Sequence, residues 1–287
     1  MPPISSERLQ SYRAQTFRTA PGLQLSSVEQ AVEFVNQRGF IFFWPNKEVL
    51  LPSLWTAVAG NRPVADEHDD PGHVSWGWKD AMLGQRRWYY ARILRRRNMF
   101  VALNLAPYFY ALTANYGSPE EDYLIQYEAG QLTQEAKLIY EALLKHGALD
   151  TITLRKTARL SSQQSDARFN KAMDDLMIDF KILPVAVTEA GAWHYAYAYD
   201  IVTRHFPEVV ERARFISEQE SRRELIKSYL LSVGAAQINH LSKIFRWESA
   251  YIQSAVQQLE NRGDIQTGLE LEGQTGQWLA IPDLIIP

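Results

Sequence analysis

Apolar residues recur at intervals of three and four along much of the chain and switch to strict alternation in short stretches between. The pattern is clearest over 133–199. Ala136, Ile139, Tyr140 and Leu143 share one stripe and predict a helix over 134–146, stopped by Gly147, which tolerates a positive φ. A short helix is predicted over 153–160 and a polar turn over 161–165. A third helix follows over 166–180, where Phe169, Ala172, Met173, Leu176, Met177 and Phe180 lie on one face. Residues 182–187 read as a strand and 188–191 as a turn. Trp193, Tyr195, Tyr197 and Tyr199 then alternate with His194, Ala196 and Ala198, the period of a half-buried strand. Helices followed by a hairpin in this order make a winged helix-turn-helix.

The order repeats afterwards. A connecting helix is predicted over 205–215, and Ser221 to Glu224 has the form of a capping box. The helix it opens carries Ile226, Tyr229, Leu230 and Val233 inward and ends at Gly234. Helices over 237–245 and 249–262 follow, the latter with Ile252, Ala255, Val256 and Leu259 inward and Gly263 as its cap. A hairpin over 265–271 and 277–281 closes the unit.

The first part is less regular. Residues 1–25 read as an arm with one helix near 7–15. Ser26 to Glu29 predicts a capping box in which Glu29 reaches back, for a helix with Val28, Ala31, Val32 and Val35 on one face and Gly39 at its end. Residues 40–44 form an apolar run stopped by Pro45 and read as a buried strand that could open a third such unit. Further expectations are a helix over 50–59, a loop over 65–78, a two-piece helix over 78–97, a strand over 99–103, a helical turn over 107–112 and a helix over 119–128. The fold class is therefore mainly α with small β-hairpins (α+β), in tandem winged helix-turn-helix units. The domains are 1–118, helical with a strand and readable as a degenerate winged helix, then 119–203 and 204–287.

Composition narrows the classes. At 287 residues and 46% hydrophobic, the chain can build two or three small cores. No apolar run reaches 18 residues, so no membrane span is expected, and no basic-then-apolar leader is evident. Cysteine is absent, which removes disulfides and thiolate metal sites and fits a cytoplasmic protein. The net charge of −3 argues against a general nucleic-acid coat protein but not against a local basic patch. No phosphate loop, dinucleotide fingerprint or Ser/His/Asp signature is found, and no cofactor is expected.

Three stretches resemble a known family: His73 to Asp80, Trp88 to Arg92, and Leu105 to Leu112. Together with the tandem units they resemble the AlkZ/YcaQ family of interstrand-crosslink DNA glycosylases, and more closely its AlkZ-related branch. The resemblance implies a DNA-repair fold and double-stranded DNA, damaged or not, as partner. In the glycosylases a Gly-Phe pair leads into a strand carrying Gln, an aliphatic residue, then Gln or Asp. Those polar side chains are implied to position water or stabilise the sugar cation. Here Gly39-Phe40-Ile41 leads into Phe42, Phe43 and Trp44. A second motif with His and Glu corresponds to 101–107, where Val101 and Ala102 replace them. An aromatic ring cannot act as a general base, which places the usual excision chemistry in doubt.

The candidate DNA contacts are the run Arg86, Arg87, Arg92, Arg95, Arg96 and Arg97, interleaved with Trp88, Tyr89 and Tyr90. To these are added Arg168 and Lys171 on one third helix, and Tyr251, Gln253, Gln257 and Arg262 on the other. Asp174, Asp175 and Asp179 make the former a poor groove reader. Glu67, Asp69, Asp70 and Asp80 are weak catalytic candidates; His68, Asp69, Asp70 and His73 have metal-ligand chemistry but no metal-motif spacing, so no metal is expected. Trp76 and Trp78 could wall a base pocket, although core packing is the commoner use. The expected function is DNA binding without the family's chemistry. The alternatives are a glycosylase using acids of the 67–80 loop, and a protein-contact scaffold that binds no DNA.

Overall fold

The computed structural model describes residues 3–191 and 194–285, so Trp193 of the alternating stretch lies outside the described residues. An N-terminal helix, α1 (Ser6–Thr16), is followed by a first unit: α2 (Val28–Arg38), β1 (Phe40–Phe42), α3 (Leu54–Ala59), α4 (Val74–Met82), β2 (Tyr89–Arg92) and β3 (Asn98–Val101). Helices α5 (Ala106–Tyr110) and α6 (Asp122–Glu128) lead to a second unit: α7 (Gln134–His146), β4 (Leu149–Asp150), α8 (Thr151–Thr157), α9 (Asp166–Ile178), β5 (Ile182–Thr188) and β6 (Ala196–Ile201). Helices α10 (Val202–His205) and α11 (Pro207–Ala213) precede the third: α12 (Glu218–Val233), β7 (Ala235–Ala236), α13 (Ile238–Phe245), α14 (Ser249–Asn261), β8 (Gln266–Leu271) and β9 (Gln274–Ala280). Each unit runs helix, strand, helix, helix, hairpin. Each small antiparallel sheet has the same order, with the last strand in the middle: β1-β3-β2, β4-β6-β5 and β7-β9-β8.

The first long helix opens on Ser27, whose hydroxyl accepts from Gln30 N. Gln30, rather than Glu29, reaches back, accepting from Ser26 N at 2.8 Å. Gly39 ends it at φ +78, where an added Cβ would lie 2.9 Å from Leu105 Cδ2 and against the Ser228 hydroxyl. The chain then enters β1, which is buried on both sides. Phe40 and Phe42 join the large core shared with the other units, while Ile41 and Phe43 join the first unit's own core. That two-sided burial explains why the strand is uniformly apolar instead of alternating.

Several expectations are corrected. The 65–78 loop contains the start of α4: Asp70 accepts from Gly72 N, and Pro71 begins a 3-10 turn that runs into the helix. The helix expected over 78–97 ends at Met82, and Tyr89–Arg92 is a strand. Trp88, Tyr89, Tyr90 and Ala91 are all buried, which a sheet covered on both faces allows and a surface helix does not. Ser221 is not a cap but a buried residue of α12, which starts at Glu218 with Ser217 as its N-cap. The helix expected over 205–215 is broken at Phe206, since Pro207 disfavours helical backbone in the residue before it. The helix expected from 50 starts at Leu54, capped by Ser53. The one expected from 119 starts at Asp122, whose carboxylate accepts from Tyr116 N, Gly117 N and Ser118 N and so holds the preceding chain in a turn.

The units are sewn together. Ile4 bridges to Leu271 beside β8, and Arg13 of α1 donates to the carbonyls of Val233 and Ala235 in the third unit. Phe40 packs edge-on against Phe109 and Phe245, with ring centroids 5.5 and 6.2 Å away. Tyr89 stacks on Phe180 at 4.5 Å. No described helix is long and apolar enough to cross a membrane.

Candidate functional site

The strand that would carry the polar pair presents none. Phe42 and Val101 are wholly buried in the shared core, and Ala102 is wholly buried in the first unit's own core. Trp44, just past the strand, is half-buried and held by four rings: Phe43 at 4.3 Å, Trp55 at 5.4 Å, Trp76 at 6.0 Å and His73 at 6.1 Å. No proton acceptor is offered at these positions, only apolar side chains and one indole.

Next to Trp44 lies a feature that the pattern of residues did not disclose. Lys79 of α4 is completely buried, yet charged groups are rarely buried unless paired. Its Nζ reaches an Asp80 carboxylate oxygen at 2.7 Å, the Tyr195 hydroxyl at 3.1 Å and, closely, the Tyr197 hydroxyl. An ammonium has three N–H groups, and all three are used. Trp76, Phe43, Tyr90, Tyr195 and Tyr197 surround it with ring centroids 4.6–5.8 Å away. The Tyr195 hydroxyl is also fully used: it accepts from Lys79 and from Trp76 Nε1 at 3.0 Å, and donates to Asp80. Burial pushes the phenols of Tyr90 and Tyr197 well above their ordinary range, so they stay protonated and neutral. Tyr197 lies on β6 and Tyr195 just before it, so this knot fastens the first unit to the hairpin of the second. Trp76 and Tyr195 keep outer faces exposed, at 40% and 36%. Trp78 turns inward and packs on the first unit's core.

On the other side of Trp44 a cleft of about 340 Å³ is lined by Trp44, Pro45, Asn46, Lys47, Glu48, Arg97 and Asn98. Glu48 is drawn onto Arg95 at 2.8 Å. Lys47 and Arg97 are exposed and have no carboxylate partner among the described residues.

The rest of the arginine run is dispersed. Arg86 pairs with Glu208 at 2.7 Å, Arg92 with Asp174 at 2.6 Å and Arg96 with Asp175 at 2.7 Å, while Arg87 is exposed and faces Glu29. Because 89–92 is a strand, Trp88, Tyr89 and Tyr90 point into cores and cannot interleave with these cations at the surface. On α9, Arg168 pairs with Glu135 at 2.9 Å and Lys171 with Asp175 at 2.7 Å. On α14, Tyr251 is covered by Arg222 of α12 at 4.1 Å, and Arg262, just past the helix end, sits 3.5 Å from Asp264. Gln253 and Gln257 are exposed and bond within the helix, to Ser249 and Asn261.

Among the weak acid candidates, Asp70 caps the turn into α4 and binds Arg62 through both oxygens, which holds its carboxyl below the usual range. Glu67 and Asp69 are exposed. Asp80 is the one tied into the aromatic knot, with 20% of its side chain exposed. His73 Nε2 lies 3.0 Å from the Ala65 carbonyl. No group of three acidic, His or Cys side chains suited to a metal occurs among the described residues.

A sequence model of the family described as AlkZ related matches residues 25–246. No curated protein matches the chain. Among solved structures, the fold is similar to that of the DNA glycosylase AlkZ of Streptomyces sahachiroi, with a TM-score of 0.62. The identity is 14%, over 98% of this chain and 71% of that one.

Proposed function

The chain belongs to the AlkZ-related family, and from that premise we propose that it is a DNA-binding protein whose three helix-and-hairpin units are tandem winged helices, divided near residues 118 and 203. It uses the family's fold without the excision chemistry of the family's polar strand. One observation carries this reading: Phe42, Val101 and Ala102 are fully buried apolar residues, and Trp44 is a ring held by other rings, where the glycosylases need polar groups facing the lesion. Binding is to double-stranded DNA through Arg87 and the outer face of α14, whose Tyr251, Gln253 and Gln257 suit a groove. The net charge of −3 makes the contact local.

The test is binding of the purified protein to labelled duplexes, intact and alkylated, at two salt concentrations, with released base assayed alongside. Salt-sensitive binding without base release is expected, because phosphate contacts release counterions. No binding at low salt would refute the reading and leave a protein-contact scaffold. Base release would refute its non-catalytic part. A second reading is favoured by the placement of Asp80, which alone of the acids in the 67–80 segment is joined to the aromatic knot beside Trp44. In that case the release would be lost in Asp80→Asn.

A further inference from the structure

The cleft beside Trp44 has a consistent chemistry that the arginine run as a whole lacks. Its amide oxygens are already engaged, and Glu48 gives one carboxylate oxygen to Arg95 while its side chain stays 69% exposed. The Asn46 side-chain oxygen accepts from Glu48 N at 2.7 Å and from Val49 N at 3.2 Å. The Asn98 oxygen accepts from Arg92 Nε at 3.3 Å. The Glu48 carboxylate is held by Arg95 at 2.8 Å. Beside the second Glu48 oxygen, what remains are donors: the Lys47 ammonium, the Arg97 guanidinium and the amide NH₂ groups of Asn46 and Asn98, none of which has a partner among the described residues. Four donor groups around one cleft call for an anion rich in acceptor oxygens, and a guanidinium beside an ammonium suits a phosphate. The wall is the Trp44 indole, fixed by four neighbouring rings, and an aromatic face is what an unstacked base takes up. At about 340 Å³ the space lies at the small end of ligand pockets, enough for one nucleotide and too small for a duplex.

We propose that this cleft seats a single unstacked nucleotide of a DNA strand, its base against Trp44 and its phosphate on Arg97 and Lys47. The proposal rests on the DNA-binding reading above and adds what it does not contain: a preference for strands with an unpaired nucleotide over fully paired duplex. Trp44 then uses the position of a family polar residue to hold a base, not to activate water.

The experiment compares three labelled ligands with the full chain at one salt concentration: a paired duplex, the same duplex with a one-nucleotide bulge, and a short single strand. The bulged duplex and the single strand should bind at least several-fold more tightly than the paired duplex. Lys47→Ala with Arg97→Ala, two exposed residues whose loss breaks no ion pair, should remove that preference by weakening the unpaired ligands about tenfold or more while changing paired-duplex binding less. Trp44→Phe should lower the preference while keeping the fold, and Trp44→Ala should abolish it, with the circular-dichroism melt reporting whether the protein is folded. Binding of paired duplex without any preference would overturn the nucleotide seat and leave the DNA-binding reading standing. Equal losses on all three ligands in the double variant would also overturn it, since the cations would then be general phosphate contacts. Absence of binding to any of the three would overturn both readings together.

Discussion

Replacing Lys79 with methionine should be the most damaging single change near the site, and its cost can be worked from the geometry. The side chain is wholly buried, and its ammonium spends all three N–H groups on Asp80, Tyr195 and Tyr197. Methionine keeps the length and most of the volume but leaves Asp80 without its cation. Breaking a buried ion pair from one side costs about 3–5 kcal/mol, since the remaining charge is stranded. Asp80 retains 20% exposure, so water relieves part of that and the lower end, about 3 kcal/mol, is the better expectation. At roughly 2–4 °C per kcal/mol the melting temperature should fall by about 6–12 °C. Asp80→Asn should also destabilise, because it leaves the ammonium among rings and two hydroxyls. The double variant should cost less than the sum of the two, with a coupling of about 1–3 kcal/mol. Thermal and urea melts of the four proteins would measure this. A shift below about 2 °C for Lys79→Met, or a cycle additive within about 0.5 kcal/mol, would refute the assignment of Lys79 and Asp80 as a coupled buried pair at the seam between the first two units.

Three further outcomes are expected. Burial holds the Lys181 ammonium down at about 8, against the opposing pull of Asp179 and Asp122. Between pH 8 and 10 the unfolded chain therefore carries the extra proton, and the folded protein should gain about 2 kcal/mol of stability as pH rises across that window, before tyrosine ionisation reverses the trend. Urea midpoints measured over that range should slope upward, and Lys181→Met should flatten the slope; equal slopes would sink the argument. Gly39→Ala should cost about 2 kcal/mol or more in a melt, from a positive φ and a Cβ 2.9 Å from Leu105. Tyr89→Phe should be neutral or stabilising by up to about 1 kcal/mol, as the Tyr89 hydroxyl is buried without a partner. A loss beyond about 1 kcal/mol there would mean the hydroxyl is hydrogen-bonded after all.

The second and third units were legible because their helices bury one stripe each and their stops are glycines. α7 runs Gln134–His146 and α14 runs Ser249–Asn261, within one residue of what the periodicity alone predicts. β4 and β7, two residues each, are too short to show any period. In the first unit β1 and β3 overlap the strands expected over 40–44 and 99–103, but β2 was expected as helix. Its sheet is covered on both faces, so Trp88 to Ala91 shows no alternation, and such a run does not say whether it is helix or strand. The arginines between 86 and 97 added to the error, because Arg86, Arg95 and Arg96 take positive φ values that no periodicity encodes.

The same two-sided burial is why the site was only half visible. Trp76, Lys79 and Asp80 stand at helical spacing once α4 is known, but with a loop expected up to 78 Trp76 was separated from Lys79, and Asp80 stood only as one of four candidate acids. Their partners, Tyr195 and Tyr197, sit more than a hundred residues later in an alternation that looks like ordinary strand patterning. A lysine inside a Trp-bracketed segment was the available signal, since an ammonium among aromatics must find three acceptors, and tyrosines on a neighbouring hairpin are the kind of group that supplies them. The substitution of Phe42 and Trp44 for polar residues then fits a wider pattern. The residues around that strand form an aromatic wall, in which Phe43, Trp44 and Trp76 touch one another and the Lys79 knot closes one end. A wall of this kind excludes water from the strand and leaves polar groups only at its two ends: Asp80 on one side, Lys47 and Arg97 on the other. On the proposed reading, any polar contact made at this wall comes from those two ends, because the strand between them has no polar side chain left to offer.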